Sequence, residues 1–229
     1  MPFPPTPPRS RLPFIASLVF LGFLLWGVGA AAPIFPSYAS SVVVLTLEGG
    51  QPVCSAFVIN KAKRLVMTAD HCMQTPDKRF VRVDQVVEIF HVPFLDVAIL
   101  EVGAGNALSP ALAPDPRPFT QAGQRAKAVG FANGTSLREI KLEVTFPTFF
   151  FSEASGPFVL LHPDIKFGMS GGPVIRESSA GNGVVGVNSM IEDRAKLTMQ
   201  RPFEIIYGFT REFWELPPVG QTATPEKTP

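Results

Sequence analysis

From residue 42 to residue 187 the chain alternates short apolar runs with clusters of turn-forming residues. Val42–Leu47, Ala56–Ile59, Phe80–Val83, Val86–Phe90 and Val97–Val102 read as strands, each too short for a helix and rich in β-branched or aromatic side chains. Gly49-Gly50, Pro76-Asp77 and Gly103–Gly105 interrupt them. The Pro- and Ala-rich stretch Ser109–Pro118 reads as an extended connector, because residues before proline avoid helical backbone. A second set follows at Ala126–Phe131, Ile140–Phe146, Phe158–Leu161, Pro173–Ile175 and Val184–Val187. Ile205–Leu216 reads as a soluble helix with Arg211 and Glu212 on its polar side, and the Pro/Thr-rich residues 217–229 as a disordered tail. The pattern predicts an all-β domain over residues 33–216, two antiparallel β-barrels (about 41–108 and about 119–207) with a C-terminal helix. A β-sandwich would read similarly.

The N-terminus follows a different pattern. Arg9 and Arg11 are followed by no charged residue until Glu48, and Phe14–Gly29 is strongly apolar and is followed by Ala30-Ala31-Ala32. A positive flank, an apolar stretch and small residues describe a signal peptide over residues 1–32, with Val28-Gly29-Ala30 as one cleavage context. An uncleaved signal anchor fits the same residues. Either reading leaves the two arginines in the cytoplasm and translocates the rest, so the domain is expected to be periplasmic or secreted, touching a membrane only through this segment.

Composition narrows the chemistry. The 229 residues are 46% apolar, enough for a sizeable core, and 20 Lys and Arg almost balance 19 Asp and Glu. No basic stripe offers itself to nucleic acid. Cys54 and Cys72 are the only thiols, which in an exported chain suggests one disulfide. No C-x-x-C or H-x-x-x-H spacing supports a metal site, and no cofactor motif occurs, so neither metal nor cofactor is expected.

Three segments carry chemistry: Met67-Thr68-Ala69-Asp70-His71-Cys72, Phe94-Leu95-Asp96-Val97-Ala98-Ile99-Leu100 and Phe167-Gly168-Met169-Ser170-Gly171-Gly172-Pro173-Val174. A serine flanked by glycines suits a nucleophile on a tight turn, where a substrate carbonyl must approach the backbone. The amides of Gly168 and Ser170 are placed to face a developing oxyanion. A serine hydroxyl needs a base, for which His71 serves, and Asp96, alone in an apolar strand, suits the carboxylate that orients it. Each piece alone has a plain reading as a turn or packing residue. Together they occur in the order His, Asp, Ser, which the plain readings do not explain jointly.

These residues resemble the signature set of the trypsin-like serine proteases: T-A-x-H-C, then D-V-A-I-L, then G-x-S-G-G-P. The resemblance covers roughly Ser41–Leu216 and implies two six-stranded β-barrels with the site in the cleft between them. It implies a serine endopeptidase acting on protein or peptide, with His71, Asp96 and Ser170 as triad and Gly168 and Ser170 as oxyanion hole. Cys54-Ser55-Ala56-Phe57-Val58-Ile59 resembles the strand before the histidine loop, so that Cys54 would bridge Cys72 and brace His71. Val187, Asn188 and Ser189 resemble the strand that pairs with substrate backbone. Asp164, six residues before Ser170, stands where tryptic members place the acid of the specificity pocket, though it also reads as a turn residue. His91 and His162 match no motif.

Departures point to the bacterial branch. Met169 stands where zymogen-type members carry Asp, and no activation site precedes Val42, so the methionine is expected to pack into the barrel instead of pairing with a new N-terminus. The alternative reading is a non-catalytic member of the same fold, a binding or scaffold module on the export side. An α/β-hydrolase is disfavoured by chain order, since it would place the serine first.

Overall fold

Every expected strand that falls within the described residues forms, and all but the first and the exact match at Val97–Val102 extend past their expected ends. In chain order these are β1 (Val42–Thr46), β2 (Pro52–Asn60), β3 (Leu65–Thr68), β4 (Val86–Val92), β5 (Val97–Val102), β6 (Arg125–Ala132), β7 (Ser136–Phe149), β8 (Phe158–His162), β9 (Pro173–Ser178), β10 (Gly181–Val187), β11 (Met190–Glu192) and β12 (Leu197–Gln200). The computed structural model describes residues 38–46, 50–73, 86–105, 107–149, 158–178, 181–192 and 196–215. The N-terminal apolar segment, the strand expected at Phe80–Val83 and the tail 217–229 lie outside them. Among the described residues no helix is long and apolar enough to cross a membrane.

The strands form two curled antiparallel sheets, five described strands in the order β1-β2-β3-β5-β4 and seven in the order β10-β9-β6-β7-β8-β12-β11. This is the expected pair of half-barrels, with the sandwich alternative set aside. β3, β11 and β12 had no strand signal of their own. β3 and β12 are four residues each and buried along their whole length, so neither shows the polar–apolar alternation that marks a half-exposed strand.

One apolar cluster joins the two sheets. Phe57, Ile59, Met67 and Ile99 of the first sheet meet Val129, Ile175, Val184 and Val187 of the second, and Phe203, Ile206 and Trp214 close over them. Each such side chain stabilises by roughly 1.5–3 kcal/mol when removed from water, so the two halves are held as one unit. The terminal helix, α1, runs over Phe203–Thr210 and tightens into a 3₁₀ turn at Arg211–Phe213, ending earlier than expected. The Thr210 hydroxyl donates back to the Ile206 carbonyl at 2.8 Å and accepts the Trp214 indole N–H at 3.0 Å, which pulls the chain out of the helix. Glu215 N–H then donates to the Ile59 carbonyl at 2.9 Å, tying the end to β2.

The connector runs across both sheets. Leu112 N–H donates to the Val58 carbonyl at 2.9 Å, and Asp115 N–H to the Val184 carbonyl at 2.8 Å. The Asp115 side chain is buried, takes a two-pronged contact from Arg117 at 2.7 Å on each oxygen, and lies 3.3 Å from Arg176. Burial works to raise its pKa, but the hydrogen bonds and charges of Arg117 and Arg176 together prevail and hold it below its ordinary value. A carboxyl depressed in the folded state stabilises above its unfolded pKa of about 3.9 and loses that contribution as pH falls through its folded value. Asp115→Asn is therefore expected to cost about 1–2 kcal/mol at pH 7, less than a buried pair would because Arg117 is largely exposed, with the gap to the parent closing below about pH 4. Denaturant unfolding of both proteins across that range measures it. A pH-independent gap would refute the electrostatic account.

Candidate active site

Asp96 follows a 3₁₀ turn, Pro93–Leu95, and takes a left-handed backbone (φ 53°, ψ 48°) that short polar side chains tolerate. This aims its carboxylate at the turn carrying His71. Oδ1 accepts the His71 backbone N–H at 2.8 Å, and His71 Nδ1 lies 3.0 Å and 2.9 Å from the two carboxylate oxygens. The buried Ser189 hydroxyl donates to Oδ2. For Asp96 burial is the largest single influence and raises the pKa, yet the hydrogen bonds and charge of His71, with Ser189, outweigh it and the carboxyl is depressed. For His71 burial likewise opposes the charged form, but Asp96, and behind it the buried Asp70, raise the pKa above the ordinary value. His91, which matches no motif, seats its Nδ1 against the Asp70 carboxylate. No sequence signal pointed to that second pair.

The turn after Asp164 fixes the direction of two amides. In a trans peptide the C=O and N–H point opposite ways, so anchoring one aims the other. The Phe167 carbonyl accepts Asn133 N–H at 2.7 Å, which turns the Gly168 N–H away from the β6–β7 hairpin. The Met169 carbonyl accepts Gly172 N–H at 3.0 Å and Asn188 Nδ2 at 3.3 Å, which does the same for the Ser170 N–H. The amides of Met169, Gly171 and Gly172 all have acceptors, whereas those of Gly168 and Ser170 have none among the described residues. Gly171 permits this course: it has φ +80°, and a Cβ there would stand 2.2 Å from the Ser55 carbonyl and the Thr68 hydroxyl. Met169 is fully buried in the core of the second barrel with Ala128, Val174 and Val185, as its apolar side chain led one to expect.

Ser189 links the two halves of the site. Its hydroxyl is on Asp96, and its carbonyl accepts the Ser170 hydroxyl at 3.3 Å. Ser170 and His71 share no hydrogen bond; such contacts are often long before substrate binds. Of the segment expected to line the substrate, Val187 ends β10, Asn188 is fully buried and braces the Met169 carbonyl, and Ser189 faces Asp96. Their side chains point inward, so contact with a ligand from this segment falls to its backbone. Asp164 is half-buried, with its carboxylate 4.0 Å from Lys166 Nζ. Cys54 and Cys72 are joined in a disulfide, immediately before Ser55 and after His71. Their sulfurs lie near the His71 imidazole, but disulfide sulfurs are not the thiolates that a metal requires.

A model of the trypsin-like peptidase domain matches residues 54–187. Among solved structures, the Rv3671c protease of M. tuberculosis in its active form superposes with a TM-score of 0.61 at 19% identity, 96% of each chain being covered. Its inactive form gives 0.60 at 19% identity, over 79% of this chain and 92% of that one. The HtrA-type protease AlgW with tripeptide gives 0.60 at 16% identity, over 77% of this chain and 61% of that one. Identities this low speak for the fold, a chymotrypsin-like pair of barrels. No curated protein sequence matches the chain.

Proposed function

The chain belongs to the trypsin-like peptidase family, and from that premise we propose that it is a serine endopeptidase using Ser170 as nucleophile, His71 as general base and acid, and Asp96 as the carboxylate that orients the histidine. One observation carries the reading: the amides of Gly168 and Ser170, which have no acceptor among the described residues, stand at a serine beside a His–Asp pair. In this mechanism the Ser170 hydroxyl leaves the Ser189 carbonyl and attacks the peptide carbonyl carbon while His71 Nε2 takes its proton. The two amides bind the resulting oxyanion. His71⁺ returns the proton to the leaving amine, and water then opens the acyl-enzyme by the same steps. The substrate is protein or peptide. The disulfide and the N-terminal apolar segment favour an oxidising compartment on the export side of a membrane.

A fluorophosphonate tests this directly. It is expected to modify Ser170 alone, as located by peptide mass mapping. The rate should fall about tenfold per pH unit once pH drops below the His71 pKa, because the base must be neutral. The raised pKa places that limb above about 6.5. No labelling of Ser170 at pH 8 would sink the reading and leave a non-catalytic member of the family.

A further inference from the structure

The turn that carries Ser170 lies in the second barrel, yet a residue of the first barrel holds it at two points. Ser55, on β2 directly after Cys54, is fully buried. Its backbone N–H donates to the Ser170 carbonyl at 2.7 Å, and its own carbonyl accepts the Thr68 hydroxyl at 2.8 Å. Its side chain is engaged twice more. Phe131 N–H, at the end of β6, donates to Ser55 Oγ at 2.8 Å, and Ser55 Oγ donates to the Gly168 carbonyl at 2.9 Å. The direction of the second bond is unambiguous: a backbone carbonyl cannot donate, so the hydroxyl proton must lie on it.

The Gly168 carbonyl belongs to the peptide between the two that present the unpaired amides. Rotation of that middle peptide would swing the Gly168 and Ser170 N–H vectors relative to each other. Gly168 itself resists little, because a glycine at φ +87° meets no side-chain barrier. Asn133 and Gly172 hold the outer two peptides; the middle one is held on its N–H side by the Lys166 carbonyl at 3.0 Å and, among the described residues, on its carbonyl side by the Ser55 hydroxyl alone.

We propose that Ser55 is a positioning residue for the oxyanion site: its hydroxyl, oriented by Phe131 N–H, locks the Gly168–Met169 peptide so that the Gly168 and Ser170 amides stay convergent. This deepens the reading of those amides as oxyanion donors and rests on it. Ser55 touches no reacting atom. It acts through the turn, and it makes the donor geometry of the second barrel depend on how the first barrel is docked.

The test is Ser55→Ala, which keeps the Cβ, the backbone pairing with Val44 and the disulfide, with the thermal midpoint recorded as a control on folding. Turnover is expected to fall roughly 10- to 100-fold, less than the ~10²–10³ of deleting a donor outright, with KM within about 2-fold. A peptide aldehyde, whose adduct places an oxyanion between the amides, should lose affinity by the same factor as kcat, and a non-covalent product peptide should lose none. Amide exchange by mass spectrometry should accelerate over residues 164–172. Ser55→Thr, which retains the hydroxyl, should recover most of the turnover. Parental kcat and exchange in the folded alanine variant would overturn the proposal, as would equal losses for aldehyde and product peptide, or a threonine variant as slow as the alanine. If the parent protein cleaves nothing, the peptidase reading falls, and the exchange comparison still decides whether Ser55 holds the turn.

Discussion

Replacing Ser170 with alanine is expected to lower peptide turnover by on the order of 10⁶-fold, and His71→Ala by a similar factor, with the double variant little worse than either. The non-additivity follows from the roles. A hydroxyl at its free pKa is a poor nucleophile, so the serine without its base and the base without its serine are both idle. The Gly168 and Ser170 amides survive each change, so residual rate above water is expected from them. Ser170→Ala should not disturb the fold, whereas His71→Ala leaves the buried Asp96 carboxylate one donor short and should lower the thermal midpoint. Ser170 contributes one long hydrogen bond of 3.3 Å through its side chain, and the turn is held by the Ser170 carbonyl, Gly171 and Gly172 through main-chain bonds that alanine retains. Single-turnover assays on a peptide library, with the thermal midpoint checked, measure this. Peptidase activity near the parent level in Ser170→Ala would end the assignment.

Asp96→Asn should cost roughly 10⁴-fold in kcat with little change in the fold. Asp96 accepts from three donors: the His71 backbone N–H, His71 Nδ1–H and the Ser189 hydroxyl. An amide of the same shape offers one accepting oxygen and one donating nitrogen. The His71 backbone N–H, which cannot give up its proton, keeps the oxygen at the Oδ1 place, so the nitrogen faces His71 Nδ1 and the Ser189 hydroxyl, and a donor faces a donor unless His71 moves its proton from Nδ1 to Nε2 and the hydroxyl turns. In that tautomer Nε2 cannot take the proton of Ser170. The pH profile adds a second, independent signature. His71 stands above its ordinary pKa through Asp96 and Asp70 acting against burial, so without the carboxylate charge the burial effect gains weight and the acid limb should move to lower pH. A variant that kept the parent's turnover, or whose acid limb moved up, would contradict the orienting role of Asp96.

Much of this site was legible in the chain because its chemistry is concentrated in three short segments. His71, Asp96 and Ser170 are far apart in sequence, yet each sits in a local setting that suits its proposed role: a His beside a Cys, an Asp opening an apolar strand, a Ser among glycines. β5 was readable to the residue, since Val97–Val102 is apolar but for the exposed Glu101 and is bounded by Asp96 and Gly103. β3 and β12 were not, because strands buried along their whole length carry no alternation to read. The helix end was missed for a tertiary reason, the demand of Trp214 on the Thr210 hydroxyl.

By itself, the sequence determined the residue types and their order: the apolar runs that become strands, two cysteines able to pair, a serine on a glycine-rich turn, and a methionine that cannot accept an ammonium. Only the tertiary structure decided which partners those groups meet. Ser189 turns to Asp96 instead of outward, Asp70 stands behind His71 with His91 against it, and the hydroxyl of Ser55 crosses from one barrel to the turn of the other. The physical reason is range. Backbone propensity and hydrophobic period act over a few neighbouring residues, whereas a buried hydrogen bond is set by which two surfaces come together. Ser55 and Gly168 are 113 residues apart and meet only because the two barrels share one apolar core.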